Sequence, residues 1–204
     1  MLFDRRKMFT LCGALIFPNI FYGRLTRTPW QGEGPFYPDK IPKDIDNDLV
    51  KKGINSIDAD GKILILNGIL LNPDSQPVNG VFIEIWQTDK NGIYLHSNSF
   101  ARDIMDKHFQ GIGRTKTNLN GRFFFRTIIP TAYPGRTPHI HMKLWKEGKN
   151  VLTTQLYIKD HPKNKNDFLF QEMSPEEQRL NSMELISVKD GNTTEFQTFV
   201  KIVV

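Results

Sequence analysis

From Lys62 onward the sequence is a series of short segments rich in β-branched and aromatic residues, each bounded by Gly, Pro, Asn or Asp. Segments of this composition between turn-forming residues are typical of β-strands. We predict strands over residues 63–71, 80–87, 122–128, 138–145, 152–158 and 196–203. The sequence therefore predicts an all-β fold, an antiparallel β-sandwich with little helix.

One short helix is predicted near the C-terminal end of the chain. Ser174 is followed directly by Pro175 and, three positions on, by Glu177. This is the pattern of a capping box with proline in the first turn, and it predicts a helix over residues 175–182. The fold should contain one or two such short helices.

The segment before the first strand differs in composition from the rest of the chain. Residues 28–60 are rich in Pro, Gly and Asp and show little periodicity. We predict that they form a long extended arm over the surface of a sandwich made by residues 61–204. A length of 204 residues suits one domain with extensions, so residues 28–204 are predicted to be a single domain.

The net charge of +5 suggests an anionic partner, such as nucleic acid, but most of this charge lies at the N-terminus. Residues 1–31 contribute +4, and the rest of the chain contributes only +1. The sequence also lacks a Walker loop, a Rossmann glycine pattern, a GxSxG elbow and basic residues interleaved with aromatic ones. We therefore expect no nucleic-acid partner.

The N-terminal charge precedes an apolar stretch. Arg5-Arg6-Lys7 is followed by an uncharged run over residues 8–22, which contains Pro18 and is shorter than the roughly 20 residues of a bilayer span. A basic start before a short apolar run is typical of an export signal, and the paired arginines resemble a twin-arginine signal. We predict that residues 1–27 are an export signal of a periplasmic or extracellular protein. The alternative is an ordinary N-terminal segment of a cytoplasmic protein; neither includes a stable membrane span.

Two histidines are the first candidates for chemistry. The stretch over residues 138–144 alternates strictly, so His139 and His141 share one face of the predicted strand. Two imidazoles at this spacing can ligate one metal ion. The alternative is the polar outer face of an edge strand, and the spacing alone does not decide between them. Further candidates lie in the loops: Tyr94, Tyr133 and Arg136.

These candidates belong to a set of short motifs in fixed order: Gly34-Pro35-Phe36-Tyr37-Pro38, 81–87, Gly92-Ile93-Tyr94, 111–114, 121–128, Tyr133-Pro134, Arg136, His139-Ile140-His141 and Thr154-Gln155-Leu156-Tyr157. The set resembles the intradiol ring-cleavage dioxygenases, and among them the iron-binding β chains of protocatechuate 3,4-dioxygenases. Each motif alone is weak, but together they are highly specific. The resemblance covers most of residues 30–204.

The resemblance implies a cofactor and a reaction. The cofactor would be one non-haem Fe(III) ion per chain, held by Tyr94, Tyr133, His139 and His141. Phenolate is a hard anionic ligand that suits trivalent iron. The reaction would insert O2 between the two hydroxylated carbons of a catechol-type, protocatechuate-like substrate, giving a cis,cis-muconate-type diacid.

The resemblance also assigns roles beyond metal binding. Tyr133 would act as a base, Arg136 would stabilise developing negative charge, and Gln155 would lie near the same pocket. The alternatives are a surface loop arginine at position 136 and a plain strand glutamine at position 155. The family likeness further implies an oligomer, either of this chain alone or with a related α chain.

Two other functions stay open: a non-catalytic β-sandwich binding module, and a site for another metal such as zinc, which two tyrosine ligands disfavour. The remaining histidines lie in polar turns and are predicted to be solvated: His96, His108 and His161. Glu84 and Trp86 alternate with isoleucines on a predicted strand, so we expect them to pack or to support the site rather than to take part in catalysis.

Overall fold

The computed structural model describes residues 23–43, 45–53, 57–190 and 193–204. In these ranges the chain forms nine strands and two short α-helices, which confirms the predicted all-β sandwich. The strands are β1 (Ile63–Leu71), β2 (Phe82–Trp86), β3 (Ile112–Lys116), β4 (Arg122–Ile128), β5 (His139–Lys146), β6 (Lys149–Ile158), β7 (Ser182–Met183), β8 (Ile186–Asp190) and β9 (Thr193–Val203). The helices are α1 (Phe168–Gln171) and α2 (Pro175–Leu180).

The strands form a four-stranded sheet in the order β4-β1-β9-β8 and a five-stranded sheet in the order β3-β2-β5-β6-β7. Both sheets are mixed, because β1 pairs with β9 and β6 with β7 in parallel, while the other pairs are antiparallel. The parallel pairs join segments far apart in the chain, and the turn signals between neighbouring strands carry no information about them.

The hydrophobic core lies between the two sheets and follows the alternation of each strand. On β5, the inward side chains of Ile140, Met142 and Leu144 are fully buried in this core. His139 and His141 project from the opposite face of the same strand and are also buried. A central strand with both faces covered therefore holds the two histidines.

The predicted arm contributes to the core as well as covering the surface. Residues 28–60 contain no helix or named strand in their described parts. Their backbone bonds to both sheets: the Leu49 amide donates to Arg126 O (2.8 Å) and the Gln31 amide to Thr153 O (2.9 Å). Leu49 is fully buried, and its Cδ1 occupies the space that a Cβ on Gly113 would need, at 2.3 Å. Glycine in β3 thus makes room for the arm.

The capping box predicted at Ser174 is present. The Ser174 side chain accepts a hydrogen bond from the Glu177 amide, and the Glu177 carboxylate accepts one from the Ser174 amide. Helix α2 ends at Leu180, two residues before the predicted end, because Ser182 begins β7.

The predicted export signal lies largely in residues 1–22, outside the described residues, and stays a prediction. Within the described ranges, no helix is both long enough and apolar enough to cross a membrane.

Candidate metal centre

Three ligand atoms converge above the outward face of β5. Tyr94 Oη lies 3.1 Å from His139 Nε2 and 3.1 Å from His141 Nε2, and the two Nε2 atoms are themselves 3.1 Å apart. All three residues are only 2% exposed. The structure thus brings together three of the four predicted metal ligands in a triangle of oxygen and nitrogen atoms.

The location of the two histidines excludes the edge-strand alternative. Strand β5 lies between β2 and β6, so it is an interior strand of its sheet. Tyr94 comes from the turn after β2, which is held by Asp89: its carboxylate accepts hydrogen bonds from the Asn91 and Ile93 amides (2.8 and 2.9 Å). The Tyr94 amide in turn donates to Ser99 Oγ (3.0 Å). A turn ordered in this way places the phenol over the histidines.

The two imidazoles are oriented differently. His139 Nδ1 lies 2.7 Å from Thr137 O, which can only accept, so Nδ1 carries the proton and the Nε2 lone pair faces the triangle. His141 Nδ1 has no hydrogen-bond partner in the described structure. Its ring instead lies flat on Trp86, with centroids 4.6 Å apart and an interplanar angle of 8°. One imidazole is therefore fixed by a hydrogen bond and the other by stacking.

Burial sets the protonation of the three groups. Burial, helped by the nearby charge of Arg136, lowers the pKa of His139 to about 3. Burial, with His139 and Arg136, also lowers the pKa of His141 well below its ordinary value, and burial raises that of Tyr94. Both imidazoles are thus neutral at pH 7, with lone pairs free for a metal ion.

The donor set fits a metal cation better than it fits a hydrogen-bonded cluster. His139 Nε2 has no proton, so the hydroxyl of Tyr94 and the Nε2 of His141 can together supply at most two protons for the three short contacts. The three contacts cannot all be hydrogen bonds, whereas a cation at their centre would satisfy all three lone pairs. Among the described residues no group of three or more His, Cys, Asp or Glu could hold a metal, so tyrosine is an essential part of this site.

The fourth predicted ligand, Tyr133, lies at the rim. Its half-buried ring is edge-on to Tyr94 (centroids 5.4 Å apart, 80°) and tilted against His139 (5.7 Å). Burial raises the pKa of Tyr133, and the positive charge of Arg136 opposes that shift. Arg136 Nη1 donates to Tyr133 Oη at 3.3 Å. Tyr133 therefore lies beside the triangle and is partly open to solvent.

Arg136 and Gln155 both belong to this site. The Arg136 side chain is 8% exposed, so it is not a surface arginine. Its Nη2 donates to Gln155 Oε1 at 2.6 Å. Gln155 pairs with His141 across β5 and β6 and is fully buried on the same face, so it is not a plain strand residue. Sequence reasoning missed two further partners of Arg136, which are Tyr157 and Asp167.

The N-terminal arm forms a wall of the site. Phe36 stacks on Tyr94 (centroids 5.2 Å apart, 17°) and meets Tyr133 edge-on (5.9 Å, 84°). A cavity of about 100 Å³ lies beside the two tyrosines, lined also by Phe36, Phe100 and Pro134. A second cavity, of about 450 Å³, lies across the Tyr133 loop and is lined by Arg136 and Lys163 among others. Aromatic side chains thus line the cavity on one side of the Tyr133 loop, and the basic side chains of Arg136 and Lys163 line the cavity on the other side.

The other sequence candidates do not enter the triangle. His108 is exposed as predicted, whereas His96 and His161 are half-buried, because His96 packs against Phe36 and His161 Nδ1 lies 3.2 Å from Thr137 Oγ1. Glu84 is buried in an ion pair with Arg114 and accepts a hydrogen bond from Tyr37 Oη at 3.0 Å.

A β-sandwich with a buried cluster of two imidazoles and a phenol defines a candidate non-haem metalloprotein. Residues 32–196 match the protein family described as Dioxygenase. Over 145 residues the chain is 32% identical to the protocatechuate 3,4-dioxygenase beta chain of Burkholderia cepacia, covering 67% of this chain and 62% of the relative. The chain belongs to the intradiol ring-cleavage dioxygenase family.

Solved structures show the same fold. The dioxygenase domain of a dioxygenase and carbohydrate-binding fusion from Streptomyces sp. SirexAA-E is 31% identical, with a TM-score of 0.67 over 88% of this chain and 98% of that one. An intradiol ring-cleavage dioxygenase from Tetranychus urticae is 23% identical, with a TM-score of 0.69 over 88% and 94% of the two chains. The chain spans only 50–62% of the length of the first curated relatives it matches.

Proposed function

We propose that this chain is an Fe(III)-dependent intradiol dioxygenase, which inserts O2 between the two hydroxylated carbons of a catechol-type diol to give a cis,cis-muconate-type diacid. The observation that carries the proposal is the buried triangle of Tyr94 Oη, His139 Nε2 and His141 Nε2, with Tyr133 at its rim. Family membership supports the reaction class, and the neutral imidazoles and two phenols suit a hard trivalent ion.

We assign metal binding, proton uptake and charge stabilisation to different residues of the chain. Tyr94, Tyr133, His139 and His141 would hold the iron, which when bound supplies a Lewis acid that prepares the diol for reaction with O2. Tyr133 Oη, at the rim, would take up a phenolic proton of the incoming diol. Arg136, whose Nη1 lies 3.3 Å from that oxygen, would stabilise the negative charge that develops on the bound diol.

Binding of an aromatic ring is supported by the wall on the Tyr94 side of the loop. Phe36 and Pro134 border the 100 Å³ cavity and would flank a bound ring while excluding water. We propose a protocatechuate-like substrate because the chain is 32% identical to a protocatechuate 3,4-dioxygenase beta chain, with unsubstituted catechol as the comparison.

The test is to measure iron per chain, the visible spectrum and O2 uptake with catechol and with protocatechuate. The proposal predicts about one iron per chain, a tyrosinate-to-iron absorption band and diol-dependent O2 uptake. Iron-free protein that binds diols without consuming O2 would favour a non-catalytic binding module. Bound zinc without iron would favour a hydrolytic site.

Two variants test the residue roles. Tyr133→Phe should retain iron in part but turn over slowly, because its ring is at the rim and the other three ligands remain. His139→Ala should lose iron, because it removes one corner of the triangle. Unchanged iron content in His139→Ala would mean that the ligand assignment is wrong.

A further inference from the structure

We propose that Asp167 is the positioning residue of Arg136, fixing the plane of its guanidinium group across the site. The orientation itself is a property of the folded chain. Its consequence for turnover rests on the proposed function, because it acts through the charge that Arg136 presents to Tyr133 and to a substrate.

Arg136 is held on three sides by groups of different kinds. Nε donates to Asp167 Oδ2 at 2.8 Å, Nη1 to Tyr133 Oη at 3.3 Å, and Nη2 to Gln155 Oε1 at 2.6 Å and Tyr157 Oη at 3.3 Å. Asp167 is the only carboxylate among these partners. A planar guanidinium with its Nε edge fixed has little freedom left to rotate its two Nη groups.

Asp167 is itself fixed by the backbone on two sides. Its Oδ2 also accepts from the Thr137 amide (2.8 Å), and its Oδ1 accepts from the Phe170 amide (3.0 Å) at the start of α1. The same Thr137 accepts from His139 Nδ1 through its carbonyl oxygen (2.7 Å). The carboxylate therefore ties α1, the segment entering β5 and the guanidinium into one arrangement.

The ion pair between Asp167 and Arg136 is buried, which makes the loss of either partner costly. The side chain of Asp167 is fully buried and that of Arg136 is 8% exposed. Removing one partner of a buried ion pair leaves the other charge without compensation in a poorly solvated place. Without Asp167, Arg136 would keep only uncharged partners, and its side chain would be free to turn toward the cavity of about 450 Å³ that it lines together with Lys163.

The orientation can be tested without metal or activity. In metal-free protein, the NMR signal of the Arg136 Nε–H group should be shifted downfield and slow to exchange, because the group is buried against a carboxylate. In Asp167→Asn and Asp167→Ser this signal should move to the range of free arginines. The serine variant keeps an oxygen that can cap α1, so it separates the charge from the cap.

The kinetic consequence is tested on iron-loaded protein. Both variants should lower kcat by about 10–100-fold, which is less than the roughly 100–1,000-fold cost of removing a charge-stabilising donor because Arg136 itself remains. Iron content and the anaerobic binding of 4-nitrocatechol should change by less than about threefold. Asp58→Asn is the matched control, because Asp58 pairs with Arg126 (2.9 Å) on the other sheet. This variant should leave kcat, iron content and 4-nitrocatechol binding unchanged.

A double-mutant cycle decides whether Asp167 acts through Arg136. In an Arg136→Gln background, Asp167→Ser should lower kcat by less than about threefold further, because coupled residues are non-additive. A full additional loss there, wild-type turnover in Asp167→Ser, or an unchanged Nε–H signal would each overturn the proposal. If no diol supports O2 uptake by the wild type, the proposed function fails, and the NMR result still decides the role of Asp167.

Discussion

Trp86 offers the sharpest test of how the metal centre is held. The ring of His141 lies on Trp86 at a centroid distance of 4.6 Å, and its Nδ1 has no hydrogen-bond partner in the described structure. His139, by contrast, is fixed by its hydrogen bond to Thr137. Replacing Trp86 by leucine should therefore free His141 while leaving His139 in place.

The expected magnitude has two parts. Stacking of this kind contributes about 0.5–1.5 kcal/mol beyond burial, and loss of a group that orients a metal ligand usually weakens metal affinity by about 10–100-fold. Trp86→Leu should also destabilise the fold by roughly 2–3 kcal/mol through the cavity it leaves. Trp86→Phe keeps an aromatic face against His141 and removes an indole N–H that has no partner in the described structure. Its effects on iron affinity and on the free energy of unfolding should therefore be smaller than those of Trp86→Leu.

The assay is retention of iron against a ferric chelator, with thermal unfolding of the metal-free proteins measured in parallel. Trp145→Leu is the matched control, because it makes the same change in the same sheet at a residue that bonds to Glu84 instead (2.8 Å). The control should lose some stability but no iron affinity. Equal iron retention by Trp86→Leu and the wild type, with both folded, would refute the idea that stacking orients His141.

Three predictions concern the stability of the fold. Leu49→Ala should lower the free energy of unfolding by about 3 kcal/mol in urea titrations, because Leu49 is fully buried, whereas Leu119→Ala, at an exposed leucine, should have little effect. Gly68→Ala should also destabilise, because the new Cβ would lie 2.2 Å from Phe123 Cζ, and a melting temperature equal to that of the wild type would contradict the packing. Hydrogen bonds from Ser174 lower the pKa of Glu177 below its ordinary 4.5, so the capping box stabilises α2 above that pH and is lost as the pH falls through the lower value. Acid titrations followed by circular dichroism should show this loss of helix stability in the wild type and not in Glu177→Gln.

The composition of short segments and of the turns between them was enough to predict most of the strands. All six predicted strands are present, because each combines β-branched or aromatic residues with turn residues at its ends. Strand β3 was missed, since Ile112 is its only large apolar residue and Gly113 is needed for packing against Leu49. The short strands β7 and β8 were missed as well. Strand β9, the partner of β8, gave no signal for its parallel pairing with β1.

In the candidate site, too, some residues were predictable from the local sequence pattern and others were not. Alternation on one strand was enough to place His139 and His141 on a common face, whereas Tyr94 and Tyr133 were selected by resemblance to a family. Asp167 was not selected at all. Its only local signal is that of a helix cap, and nothing in the sequence shows that the same carboxylate also meets Arg136, 31 residues away.

The contacts that the arm makes with the site are the part that local patterns predict least. Gln31 Oε1 accepts from Tyr157 Oη (3.0 Å), and Gly32 O accepts from Gln155 Nε2 (3.2 Å). Both of these strand β6 side chains contact Arg136 Nη2, so docking of the arm and orientation of Arg136 are energetically coupled. A sandwich cut at residue 61 would leave Arg136 with partners that have lost their own support. The smallest unit that holds the described site therefore includes the arm from Gln31 onward.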